Sequence, residues 1–122
     1  MLLKERPLNQ HRFKSRTGDF QIQGWWRERS SDFNTLHSII TDDEYMLSVL
    51  AKPGQTLVDI GAHIGSVSCF CAKRGMKVVA VEPLPENLIL LNKNIETNLN
   101  PLSGNIPYVI TQLGGLENKD FF

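Results

Sequence analysis

The sequence predicts an α/β domain built on a parallel sheet, and three observations carry that reading. Apolar runs at 55–60, 77–81 and 106–112 alternate with two amphipathic helical stretches. Two glycines, Gly61 and Gly65, flank the first strand-to-helix corner, and an acidic residue, Glu82, ends the second strand. Strands that alternate with helices pair in parallel through crossovers that are right-handed in nearly all such sheets.

Each element follows from its local pattern. From 11 to 26 the sequence is basic and then alternating, and Phe20, Ile22 and the cluster Gly24-Trp25-Trp26 predict a short strand or hairpin. Ser30, Ser31, Asp32 and Asn34 give 27–40 a loop-like composition, ending in a short helical turn over 36–40. Thr41-Asp42-Asp43-Glu44 fits a capping box, so a helix is expected over 42–51. Met46, Val49 and Leu50 would share one face of that helix, and Pro53-Gly54 would stop it. Leu57, Val58 and Ile60 make 55–60 read as a strand buried on both faces. Over 64–74, Ile64, Val67 and Cys71 recur at helical spacing, and Gly75 stands where a left-handed cap ends a helix. The β-branched run 77–81 is the second core strand. A helix over 86–99 carries Leu88, Leu91, Ile95 and Leu99 at steps of three and four, and Asn98-Leu99-Asn100-Pro101 ends it. Tyr108-Val109-Ile110 marks the third strand.

Composition narrows the function classes. Thirteen basic against thirteen acidic residues leave no net charge, which removes the electrostatic footprint of a phosphate-gripping protein, so nucleic acid is not expected as a partner. The apolar stretches fall short of the roughly 18 residues a membrane span needs, and 1–7 lacks the apolar core of a secretory signal. No membrane partner and a cytoplasmic location are therefore expected. Cys69 and Cys71, two apart on a predicted helix, point about 200° away from each other and read as small apolar residues. No pattern of metal-ligand spacing accompanies them, so no metal is expected.

The chemistry concentrates in the first strand-to-helix turn. Ligands of open α/β sheets bind beyond the carboxyl ends of the strands, where a glycine turn and the next helix N-terminus approach them. Gly61 and Gly65 tolerate positive φ and carry no Cβ to hold a ligand away, although a glycine turn kept for packing alone is the plainer alternative. Glu82, about 20 residues further on, stands where an acid accepts hydrogen bonds from ribose hydroxyls, so a nucleoside is implied. A solvated acid at a strand end is the competing account of that residue. A dinucleotide would call for G-x-G-x-x-G, and this turn has one glycine too few, which argues against an NAD-dependent dehydrogenase. Asp59 repels phosphates and favours a cationic ligand such as a sulfonium. S-adenosylmethionine fits both points.

Val58-Asp59-Ile60-Gly61-Ala62-His63-Ile64-Gly65, Ala72-Lys73-Arg74-Gly75, Val81-Glu82-Pro83-Leu84-Pro85-Glu86-Asn87 and Leu91-Asn92-Lys93-Asn94-Ile95-Glu96-Thr97-Asn98 together resemble the FkbM family of S-adenosylmethionine-dependent methyltransferases. Upstream, Arg27-Glu28-Arg29-Ser30-Ser31-Asp32 and Asp43-Glu44-Tyr45 look similar to the family's region before the cofactor motif. The resemblance implies a Rossmann-like class I methyltransferase fold, of which 41–122 is the N-terminal half of the parallel sheet with its flanking helices and 1–40 an extension. It also implies O-methylation of a hydroxyl on a sugar, polyketide or related metabolite, with a small hydroxylated molecule as partner. By position, Asp59, Gly61 and Gly65 would surround the methionine portion of the cofactor and Glu82 its ribose. Ala62 and His63 would border the turn, and Pro83 would shape the adenine side. Ser31, Asp32, Glu44 and Tyr45 would close over the methionyl end or the acceptor, while Asn94 and Asn98 read as structural residues at a helix end. His63 departs from the asparagine common in the family; it is either an acceptor-side base or a simple substitution at a turn. His11 and His37 read as surface residues, and no catalytic residue is singled out.

In the family fold a second sheet half lies beside the first core strand and supplies most of the acceptor pocket. The sequence ends soon after the third strand, so the expectation is a truncated form with an exposed apolar sheet edge open to self-association or to a partner. The rival reading is a catalytically silent nucleotide-binding or assembly module.

Overall fold

Residues 6–100 and 106–111 are described by the structure, a computed structural model. The alternation near the N-terminus produces a hairpin, in which β1 (Leu8–Lys14) pairs antiparallel with β2 (Gln21–Arg27), from Leu8 opposite Arg27 to Lys14 opposite Gln21. Its turn is closed by the Ser15 hydroxyl, which donates to Asp19 Oδ1 at 2.8 Å, and by the Ser15 N–H, which donates to the Phe20 carbonyl at 3.0 Å.

A helix forms earlier in the next segment than composition suggests. Instead of a loop with a turn over 36–40, α1 (Asp32–Leu36) runs into a π-helical turn at His37–Thr41. Ser30 Oγ accepts the Asp32 N–H at 3.1 Å and thereby satisfies one of the free donors of the first turn.

The helix expected over 42–51 is not formed as such. Asp43 and Met46 take positive φ, 55° and 57°, and a non-glycine residue in that left-handed region cannot continue a right-handed helix. Only α2 (Leu47–Leu50) follows. Its Ser48 N–H donates to Asp43 Oδ1 at 3.2 Å, so the acid two residues beyond Thr41 takes over the role given to the threonine. Met46, Val49 and Leu50 are consequently exposed rather than packed on one buried face.

The core sheet has strand order β3 (Thr56–Ile60), β4 (Lys77–Val81), β5 (Tyr108–Ile110), all parallel, with Val58 opposite Val79 and Val79 opposite Tyr108. Helix α3 (Ser66–Lys73) joins β3 to β4, and α4 (Pro85–Asn98) follows β4, each within two residues of its expected bounds. Pro85 opens α4 at a position where its missing N–H costs nothing. β3 is not buried on both faces. Leu57 and Asp59 are half-buried, but Val58 and Ile60 are 58% and 70% exposed, as is Tyr108 at 77% on the same face of the sheet. Among the described residues β3 is also an edge strand.

One buried cluster includes Phe13 and Ile22 of the hairpin, Leu36 and Ile40, Ile64 and Phe70, and Leu90 and Leu91 of α4. The hairpin is tied to α4 through asparagines: Asn94 Oδ1 accepts the Trp25 N–H at 2.6 Å, and Asn98 Oδ1 accepts the Gln23 N–H at 2.7 Å. Asn94 also donates to the Ile64 carbonyl at 2.8 Å. Both are structural residues, although Asn94 lies inside α4 and not at its end. Cys69 and Cys71 are buried on α3, and burial pushes their thiols up to about 12 and about 11. At neutral pH they stay protonated and pack as small apolar groups. No helix among the described residues is long and apolar enough to cross a membrane.

Candidate functional site

The end of β3 is where the sheet opens. Gly61 N–H and Ala62 N–H both donate to the Val81 carbonyl, at 2.8 and 2.9 Å, so the chain leaving β3 is folded back over the end of β4. Gly61 has φ 75°, and a Cβ added there would meet nothing within 4 Å. Gly65 has φ 93° at the start of α3, and a Cβ there would lie 2.6 Å from Leu91 Cδ1. The two glycines therefore do different work. Gly61 keeps a cavity wall free of side chain, whereas Gly65 permits α3 and α4 to approach.

Between them His63 takes φ 57°. Histidine is among the non-glycine residues that tolerate this region, so the turn conformation alone accommodates it. Its N–H donates to Glu82 Oε1 at 2.8 Å, while Glu82 Oε2 accepts the Leu84 N–H at 3.0 Å. Glu82 is buried, at 4% exposure, and is not a solvated strand-end acid. It clasps the glycine turn to the chain entering α4.

On the other side of the turn lies a buried ion pair. Arg27 Nε donates to Asp32 Oδ2 at 2.6 Å and Arg27 Nη2 to Asp32 Oδ1 at 2.9 Å, with the Arg27 backbone N–H adding a third bond at 3.0 Å. Burial alone would push the Asp32 carboxyl up, but the side-chain and backbone hydrogen bonds from Arg27 outweigh it and hold the group below its ordinary value. Donating these hydrogen bonds to Asp32 in turn raises Arg27. His63 Nε2 is 3.4 Å from Arg27 Nη2 and 3.6 Å from Asp32 Oδ1.

A cavity of about 290 Å³ opens beside the turn, lined by Asp59, Ile60, Gly61, Ala62, His63, Ser66 and Val67, and roofed by Thr35, Ile39 and Tyr45. Asp59 Oδ2 accepts the Ser68 hydroxyl at 2.6 Å, which fixes the carboxylate on the cavity wall. A second cavity of about 210 Å³ shares Thr35, Ile39 and Tyr45 and adds Ser31, Asn34, Ser38 and Glu44.

The structure thus brings Asp59, Gly61, Ala62 and His63 together around one cavity, with Tyr45 above it and Ser31 and Glu44 around its neighbour. Asp32 is 1% exposed and paired behind His63 rather than on a cavity wall. Gly65 and Glu82 support the turn from behind, and Pro83 is exposed beside it. Sequence reasoning gives no site role to Arg27, Thr35, Ile39, Ser66 or Val67. Arg27 alone left a signal, an arginine five residues before the acid with which it pairs.

Fold and cavity together define an α/β, Rossmann-like domain with a parallel three-stranded sheet and flanking helices. Solved structures share it, two of them as follows. The C-terminal domain of precorrin-6Y C5,15-methyltransferase from Rhodobacter capsulatus aligns with a TM-score of 0.51 at 24% identity, over 72% of this chain and 43% of that one. A protein of Pyrococcus horikoshii assigned as a transferase aligns with a TM-score of 0.59 at 22% identity, over 93% of this chain and 38% of that one. The chain spans less than half the length of either. No protein-family profile matches the chain, and no curated protein matches it significantly.

Proposed function

We propose that this chain is the cofactor-binding part of a class I, S-adenosylmethionine-dependent methyltransferase of the FkbM type, acting on a hydroxyl of a sugar, polyketide or related metabolite. The observation that carries this reading is the cavity at the end of β3, where an immobilised acid, a Cβ-free wall at Gly61 and a buried Glu82 clasp occur together. A methyltransferase structure among the neighbours of this fold supports it, and the ordered motif resemblance is the ground for proposing the FkbM type.

The residues present fit the cofactor. The larger cavity, about 290 Å³, falls just below the range of about 300 to 1,000 Å³ usual for ligand sites, and the adjoining one of about 210 Å³ adds to it. Asp59 offers a fixed carboxylate to an ammonium or sulfonium, and the turn presents no basic side chain beyond His63 that would attract phosphate. Glu82 commits one lone pair of each oxygen to the backbone behind the cavity wall, so its contribution to the cofactor site is to hold the turn in shape. Tyr45, common to both cavities, stands where cofactor and acceptor would meet. When bound, S-adenosylmethionine supplies an electrophilic methyl group. The chain's own contribution is to bind and orient, since effective transfer rests on holding the acceptor oxygen about 3 to 3.5 Å from the methyl carbon.

Calorimetry with S-adenosylmethionine and with NAD, alongside transfer of labelled methyl to polyhydroxylated acceptors, tests the reading. Selective binding of S-adenosylmethionine is expected. Preference for NAD, or no binding of S-adenosylmethionine, would sink it, and binding without transfer would move the chain to the silent-module alternative.

A further inference from the structure

The ion pair behind the glycine turn does more than fill space. A guanidinium only donates, so the Arg27 Nη2 facing His63 Nε2 at 3.4 Å meets a lone pair, not a proton. The competing contact, Nε2 to Asp32 Oδ1 at 3.6 Å, is too long for a hydrogen bond. With Nε2 as the acceptor, the proton of the neutral ring sits on Nδ1. His63 also lines the larger cavity, its backbone held in the left-handed region by Glu82.

We infer that His63 is a preset Nδ1–H donor for a carboxylate at the amino-acid end of the bound ligand, with Arg27 and Asp32 as the positioning residues that fix its tautomer. This rests on the S-adenosylmethionine reading and deepens it. Asp59 and His63 then divide the recognition of an α-amino-acid group. The acid on one part of the wall suits the ammonium, and the imidazole N–H suits the carboxylate. A hydrogen bond in which one partner is ionised is roughly twice as strong as a neutral one, so a single such donor is enough to discriminate between ligands with and without the carboxylate. The second-sphere logic parallels that of metal-ligating histidines, in which the partner of one ring nitrogen decides what the other can do.

Two measurements test the assignment. Long-range proton–nitrogen correlation spectra of the ligand-free protein, with His11 and His37 assigned by substitution, should show His63 with a protonated Nδ1 and a bare Nε2. The opposite tautomer overturns the inference without reference to any ligand. Calorimetry should then compare S-adenosylmethionine with 5′-methylthioadenosine, which lacks the amino-acid end. His63→Gly suits this test because glycine adopts φ 57° without strain, and the thermal midpoint verifies that it folds. Roughly tenfold weaker binding of S-adenosylmethionine with unchanged binding of methylthioadenosine is expected. Arg27→Lys should invert or blur the His63 nitrogen signature and weaken the same ligand only. Equal losses for both ligands, or no loss for either, overturn the inference while leaving the cofactor reading in place. Failure of the wild-type chain to bind S-adenosylmethionine overturns both.

Discussion

Glu82 and His63 meet at 2.8 Å, carboxylate oxygen to backbone N–H, across the junction between the end of β4 and the glycine turn. The acid that sequence spacing assigns to a ribose is thus first a fastener. It holds a non-glycine residue at φ 57°, a conformation of the kind that costs about 1 to 3 kcal/mol when the surroundings do not enforce it.

Glu82→Gln should therefore damage stability and binding together. One amide oxygen cannot replace two carboxylate oxygens, and the amide NH₂ must face either the His63 or the Leu84 N–H. A buried donor left unsatisfied costs about 1 to 3 kcal/mol, to be read from urea unfolding, with a parallel loss of S-adenosylmethionine affinity by calorimetry. A variant as stable as wild type would show that the clasp is not made in solution.

The two glycines should separate in the same assays. Gly65→Ala places a Cβ 2.6 Å from Leu91, which is fully buried and has little room to turn away, so about 1 to 3 kcal/mol of overpacking adds to the strain of a positive φ. Gly61→Ala meets no atom within 4 Å and bears only the backbone cost, but it narrows the cavity. Gly65→Ala is expected to lose more stability and Gly61→Ala more ligand affinity. The reverse order would mean that the roles assigned to the two positions are wrong.

The turn was legible in the sequence because its chemistry is local. Strand, glycine corner and helix follow one another directly between Thr56 and Lys73, and periods of two and 3.6 mark what flanks them. The failures have equally physical causes. The helix expected over 42–51 is lost because the Glu44 N–H, which the capping box needs, donates to the Ser38 carbonyl at 3.0 Å, and Asp43 and Met46 take left-handed conformations that no propensity announces. Asn94 reads as a helix-end residue in isolation, but its partners are Trp25 and Ile64, 69 and 30 positions away. Thr35 and Ile39 reach the cavity only because the hairpin and α1 share the core with α3 and α4. Nothing local in their surroundings encodes that.

The exposed face of β3 bears on how the chain behaves at high concentration. Val58 and Ile60, 58% and 70% exposed, stand on a strand whose outer edge has no hydrogen-bonded neighbour among the described residues. An apolar edge of this kind is a template for pairing with a second copy. Sedimentation should show self-association that rises with concentration, and Val58→Lys with Ile60→Lys should reduce it while leaving the far-UV circular dichroism unchanged. A chain that is monomeric at every concentration would argue against this surface as a contact.

The Arg27–Asp32 pair predicts a pH dependence with a definite sign. Asp32 is held below its ordinary value of 3.8 in the folded chain, so the unfolded chain binds its proton more readily in acid. The stabilisation is therefore fully present above about pH 4 to 5 and is lost as pH falls through the lower, folded value. Urea midpoints measured from pH 7 down to pH 3 should drop, and Asp32→Asn should flatten that part of the profile at a lower overall stability. Removing one partner of a buried pair leaves a buried charge uncompensated, which costs about 3 to 5 kcal/mol. Arg27 would keep its charge in that variant, with its Nε and Nη2 facing an amide that offers one acceptor oxygen in place of two. His63 would lose the orientation of its neighbour at the same time. A variant with wild-type stability and an unchanged acid limb would show that solvent already reaches the pair, and the rigid backing that it gives the cavity wall would have to be abandoned.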